Sequence, residues 1–167
     1  MKPDDSPPAA TVVSEETGRS WLVSAAAAAL AAAIVGGVVW GLIARWSDYE
    51  VGIVAWAIGF LAGSAAVLGA RGRRGLPLQL LAVATALVGI LVGKYLGFVW
   101  GLEAAFEEQD IPVDVPIFSG DTVNAFNESR SEVFTWYDLL WVAFAVYTAF
   151  RIPRSVTEED AAPEPVS

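Results

Sequence analysis

The chain has 167 residues, a length for one domain, of which 55% are hydrophobic and 17% charged, with a mean hydropathy of +0.51. Ordinary soluble domains carry about 25% charged residues, so the composition already leans towards a membrane. Cysteine and histidine are both absent; that excludes disulfides, Cys/His zinc sites, histidine-ligated haem, cysteine nucleophiles and every Ser-His or Cys-His triad. The net charge of −9 would repel phosphate backbones, so no nucleic-acid partner is expected.

Residues 1–19 contain Pro3, Pro7 and Pro8, four acids and no hydrophobic period. They read as an unstructured cytoplasmic tail, because the segment buries too little to offset the entropy of ordering it. The apolar run that follows is too long for a signal-peptide core of about 7–15 residues.

Four apolar segments then succeed one another. Trp21–Ala44, Val51–Ala70 and Leu76–Gly93 are free of charge, and the third extends to Trp100 once Lys94 is admitted. Phe134–Ile152 carries only Asp138 and Arg151, near its two ends. A helix needs about 20 apolar residues to cross a hydrocarbon core of roughly 30 Å. No segment shows the polar outer face a soluble helix needs. The expected fold is therefore all-α: a bundle of four transmembrane helices over about 21–44, 51–70, 76–100 and 134–152. A long outer loop, 101–133, joins the last two, and an unstructured tail follows at 153–167.

The connections orient the bundle. With the RGRRG loop (Arg71–Gly75) inside, Lys2, Arg19, Arg71, Arg73, Arg74, Arg151 and Arg154 lie on the inner side, and only Arg45, Lys94 and Arg130 on the outer. The positive-inside rule thus predicts cytoplasmic termini and an outward loop. Aromatic clusters mark the same outer level: Trp40, Trp46 and Tyr49; Tyr95, Phe98 and Trp100; and Phe134, Trp136, Tyr137 and Trp141. They read either as headgroup-level anchors or as an outward contact surface.

Within lipid, helices associate through close approach of small residues. Gly89, Gly93, Gly97 and Gly101 repeat every four residues; Gly59 and Gly63 belong to a seam with Gly52, Trp56, Ala66 and Ala70; Ala33, Gly37 and Gly41 form a third. These are the candidate helix-packing positions, within one bundle or against a second protein.

Lys94 follows Leu76 by 18 positions, roughly 27 Å along a helix, and Asp138 lies four residues into the last span, roughly 6 Å deep from the same side. The two are therefore a candidate ion pair at the outer interface, with Glu103, Asp48 and Glu50 as competing partners for Lys94.

The outer loop carries Glu103, Glu107, Glu108, Asp110, Asp114, Asp121, Glu128 and Glu132 against Arg130 alone. Pro112 and Pro116 imply extended backbone ending in a turn at Ser119-Gly120. Ser119 or Asp121 then caps a short helix whose partial apolar face is Val123, Phe126 and Val133. Such a segment is placed to lie as a lid across the outer mouth. The calcium-loop pattern D-x-[DN]-x-[DN]-G is absent, as are phosphate-loop, dinucleotide and G-x-S-x-G signatures. No catalytic, cofactor or metal residues are therefore assigned, and no enzyme activity is expected.

The stretch WAIGFLAGSAAVLGARGRRGLPLQLLAVATALVGILVGKYL, followed after the loop by YDLLWVAFAVYTAFRIP, resembles a group of small four-span bacterial membrane proteins, over about residues 20–154. Some members of that group carry a cytoplasmic zinc-ribbon or B-box-like module, which a chain without Cys or His lacks. The resemblance implies a multi-pass protein of a bacterial cell membrane and no particular activity. Two functional readings stay open. One is a non-enzymatic accessory or scaffolding component, contacting the lipid bilayer and other membrane proteins or a second copy of itself. The other is a small-solute or ion conduit using Lys94, Asp138 and the acidic loop.

Overall fold

In the computed structural model the described residues are 10–47 and 52–154. Asp48, Tyr49, Glu50 and most of the two tails lie outside them. The described residues form helices joined by turns and one irregular segment, without a strand. The helices are α1 (Ala10–Ser47), α2 (Ile53–Gly69), α3 (Leu76–Glu107), α4 (Gly120–Glu128), α5 (Arg130–Val133) and α6 (Trp136–Arg151).

Two boundaries differ from the expected ones. The first helix begins at Ala10, so residues 10–19, expected as an unstructured tail, continue it. The third runs to Glu107, so residues 101–107 belong to a helix rather than to the outer loop. Two helical stretches, Ser20–Trp46 and Leu76–Glu107, are long and apolar enough to cross a membrane. At 17 and 16 residues, α2 and α6 fall short of the roughly 20 a full span needs.

Contact pairs give the helix directions. Gly36 meets Ile58 while Gly69 meets Ser24 and Ala25, so α1 and α2 are antiparallel. Gly37 meets Gly89 while Ala44 meets Gly97, so α1 and α3 run parallel. Gly52 meets Trp141 and Gly59 meets Ala145, so α2 and α6 run together, opposite to α3.

The core is built of small side chains. Ala25, Ala29, Ala33, Ala62, Ala66, Ala82, Ala86, Ala145 and Ala149 are fully buried, with Ile58 and Leu78 the bulkiest aliphatics among them. Larger apolar residues point away: Leu30, Ile34, Val35 and Val39 on α1; Phe60, Leu61 and Leu68 on α2; Leu80, Leu87 and Leu91 on α3; Leu139, Leu140 and Phe144 on α6. A water-soluble bundle places its leucines inside. Here alanine and glycine draw the backbones together and the bulky groups form the outer coat.

The glycine seams are used unevenly. A methyl on Gly59 would come within 2.3 Å of the Ala145 carbonyl oxygen, and one on Gly89 within 2.6 Å of that of Ala33. A methyl on Gly63 would be 3.2 Å from Ile152, and one on Gly93 2.7 Å from the Trp40 ring. Gly97 has only ordinary contact with Ala44 at 3.5 Å, and Gly101 faces open space. The four-residue repeat therefore overstates the interface. Gly97 already sits opposite Ala44, and one turn later a methyl on Gly101 would meet none of the described residues within 4 Å.

Both ends of the bundle are tied. At the arginine-rich end Arg74 Nη1 donates to the Ile152 carbonyl at 2.6 Å, and the Gly75 N–H donates to that of Pro153 at 3.0 Å. A guanidinium there satisfies carbonyls left open by the end of α6 and complements its dipole. At the opposite end Arg45 reaches Glu103 at 2.9 Å, joining α1 to α3.

Candidate functional site

Ionisable side chains meet in the interior at the carboxylate-rich end. Lys94 Nζ lies 3.0 Å from Asp138 Oδ1. The two residues are 4% and 6% exposed. Lys94 comes from α3, three helical turns before its end, and Asp138 from the first turn of α6. Lys94 also donates to the Val133 carbonyl at 2.9 Å, and its ammonium sits over the rings of Trp40 and Phe134, 5.6 and 5.8 Å from their centroids.

Asp138 is bound on its second oxygen too. Oδ2 accepts the Thr135 N–H at 2.8 Å and the Thr135 hydroxyl at 3.0 Å, a capping box that starts α6. One carboxylate thus serves a helix terminus with one oxygen and a lysine from a neighbouring helix with the other. Of the competitors named for Lys94, Glu103 is taken by Arg45, while Asp48 and Glu50 lie outside the described residues.

Trp40 takes part in a way its place among the outer aromatics does not suggest. It is buried, because its ring covers Gly93 and caps the Lys94 ammonium. Trp46 and Trp136, by contrast, are largely exposed, at the level expected of interfacial rings.

Above this cluster the segment 108–133 folds back onto α3. Asp110, with φ 53°, turns the chain out of the helix, and an irregular segment follows in which the Val113 N–H donates to the Ile111 carbonyl at 2.9 Å. Ser119 caps α4 by accepting the Thr122 N–H at 3.1 Å, and Thr122 donates in turn to the Pro116 carbonyl at 2.9 Å. The Tyr95 hydroxyl donates to the Ile117 carbonyl. Phe126 enters a ring cluster with Tyr95, Phe98 and Phe134, at centroid separations of 5.2, 5.5 and 6.4 Å. Phe126 is the anchor of the apolar face expected for α4, whereas Val123 stays partly exposed.

A groove opens beside this segment, lined by Trp100, Glu103, Asp114, Pro116, Ile117 and Phe118. Phe118 is 94% exposed at its rim. The acidic residues do not converge: among the described residues no three of them come together as a metal-binding group. In chemical terms the arrangement is a buried charge pair beside a folded segment, able to lock α3, α6 and residues 108–133 into one unit. Comparison with protein-family models, curated proteins and solved structures gives no match.

Proposed function

We propose that the chain is a non-enzymatic, multi-pass integral membrane protein of four spans with both termini cytoplasmic, acting as an accessory or scaffolding component for other membrane proteins or for a second copy of itself. The inverted distribution of side-chain size carries this reading: alanine and glycine within, and leucine, isoleucine and phenylalanine on the outer coat of all four main helices. Lipid tails or another protein's spans accept such a coat, and water does not. The short α6 carries Trp136 and Tyr137 in its first turn and Arg151 in its last, groups that anchor a short span at headgroup level. The resemblance to small four-span bacterial membrane proteins points the same way. The buried ionisable groups support a structural role, since Lys94 and Asp138 bind each other and backbone rather than lining a path.

Extraction of native membranes in mild detergent, followed by mass determination, tests this reading. The expected result is a reproducible stoichiometric assembly, and a lone monomer overturns it. Ion or solute flux in proteoliposomes that Lys94→Ala abolishes would replace scaffolding with a conduit.

A further inference from the structure

At the arginine-rich end the three arginines of the α2–α3 connection have different occupations. Arg74 is committed to the carbonyls that follow α6. Arg71 and Arg73 are exposed, and among the described residues no carboxylate pairs with either. Both line a cleft of about 330 Å³ whose other walls are Ser20, Trp21 and Ser24 of α1 and Ala70.

The cleft is a consequence of backbone geometry. α1 and α2 touch at Gly69, where a methyl would come within 2.7 Å of the Ser24 carbonyl oxygen. Ala70, the next residue, lines the cleft. Beyond it Arg71 and Gly72 both take left-handed backbone, with φ of 56° and 78°, and turn the chain out of α2. Arg71 is a non-glycine residue in a conformation that L side chains disfavour, and the backbone hydrogen bonds of the turn, Arg71 N–H to the Leu68 carbonyl and Gly72 N–H to that of Val67, hold it there against a local cost. The loop N–H groups of Arg71, Gly72 and Arg73 are already bonded to Leu68, Val67 and Ala70 carbonyls. Recognition in the cleft therefore falls to side chains.

Those side chains form a consistent set. The Arg73 guanidinium lies over the Trp21 ring, 5.4 Å from its centroid. Stacking occupies the face of the guanidinium and leaves its in-plane N–H groups able to donate. Ser24, one turn after Ser20 on the same side of α1, also lines the cleft. Two guanidinium groups and the Ser24 hydroxyl around a small cleft match the oxygens of a phosphate.

We propose that this cleft holds the phosphate of an anionic phospholipid headgroup. The inference rests on the membrane reading above. In that reading the arginine-rich end lies at the cytoplasmic surface, where anionic lipids concentrate. Trp21 is then an interfacial ring that preorganises Arg73, rather than a passive anchor.

Native mass spectrometry of the full chain in mild detergent, titrated with phosphatidylglycerol or phosphatidylcholine, tests the proposal. The wild type retains one phosphatidylglycerol in preference to phosphatidylcholine. R71Q and R73Q each weaken that retention about fivefold, and together about thirtyfold. R130Q, the same charge change at the opposite end, leaves it unchanged. Because R71Q alters a left-handed position, S24A supplies a second route to the same cleft, and far-UV circular dichroism verifies that each variant is folded. Equal retention by wild type and R71Q/R73Q overturns the proposal, as does equal retention of the two lipids. Displacement of the lipid by millimolar inorganic phosphate also overturns it, in favour of a soluble anion. Failure of the wild type to incorporate into vesicles would instead sink the membrane reading, an outcome distinct from incorporation without lipid preference.

Discussion

Lys94 and Asp138 set the terms at the residue scale. Removing one member of a buried pair leaves an uncompensated charge, at a cost of about 3–5 kcal/mol. Lys94→Ala should therefore lower the melting temperature in detergent by on the order of 10 °C. Asp138→Ala should cost more, because the same carboxylate caps α6 through Thr135 and a lost cap adds about 1 kcal/mol. The double variant should be markedly less destabilised than the sum of the two, since neither charge then remains unpaired. Strictly additive losses would show that the ammonium and the carboxylate do not stabilise each other. The meeting of these residues is legible in the sequence because helix rise is nearly constant: 18 positions up one span and four down another reach one level. What counting residues does not reveal is the rest of the environment. The Val133 carbonyl and the Trp40 and Phe134 rings arrive from other elements, and their approach depends on helix rotation and on the path of a long loop.

At the scale of elements, glycine spacing is a proposal about neighbours that only the neighbours can decide. Gly59 and Gly101 both sit in helices, yet one abuts the Ala145 carbonyl and the other faces open space. Gly59→Ala should destabilise the fold by at least 1–3 kcal/mol, the usual cost of forcing an extra methyl into a packed interface. Gly101→Ala should be neutral or stabilising by about 0.5–1 kcal/mol, because alanine is the better helix former and meets nothing. Thermal melts of the two variants side by side check the contrast, and equal effects would refute the packing assigned to the seams. The outer segment gives a second test. Phe126 bridges three rings, each pair contributing about 0.5–1.5 kcal/mol. Phe126→Ala should weaken the closed segment by about 1–2 kcal/mol and raise its opening, read as proteolysis near Ile111–Phe118, roughly 5–30-fold. Unchanged cleavage would mean that α4 is held by something other than this cluster. The cap at Ser119 is readable from residue type, since serine before a helical run can accept an N–H. The landing place of Phe126 is not, because its partners lie about 30 positions earlier on α3 and in the segment that follows. The extension of α3 to Glu107 is similarly hidden, as Glu103 and Glu107 look like loop until Arg45 is seen beside them.

For the whole molecule the decisive question is which medium surrounds the apolar coat. A chain without cysteine offers a direct measurement, because each introduced thiol is the only one present. Three positions separate the alternatives: Phe118→Cys in the acidic segment 108–133, Arg154→Cys at the arginine-rich end, and Leu87→Cys on the exposed face of α3. All three residues are exposed in the bundle itself. Leu87 lies 11 residues into α3, roughly 16 Å from its start and so near the middle of a hydrocarbon core of roughly 30 Å. A membrane-impermeant maleimide applied to intact cells should label Phe118→Cys and spare Arg154→Cys, and inverted vesicles should reverse the order. Leu87→Cys should stay unlabelled from both sides, since a thiol in lipid has neither the thiolate form nor access to the reagent. Denaturing detergent should then make all three react, proving that Leu87→Cys is intact. Labelling of Phe118→Cys and Arg154→Cys from one compartment would break the threading, and with it the placement of the arginine cleft at the cytoplasmic surface. Rapid labelling of Leu87→Cys in sealed membranes would mean that water, not lipid, contacts the leucine face. Either a partner or a different fold would then be needed to explain why the large side chains lie outside and the alanines within.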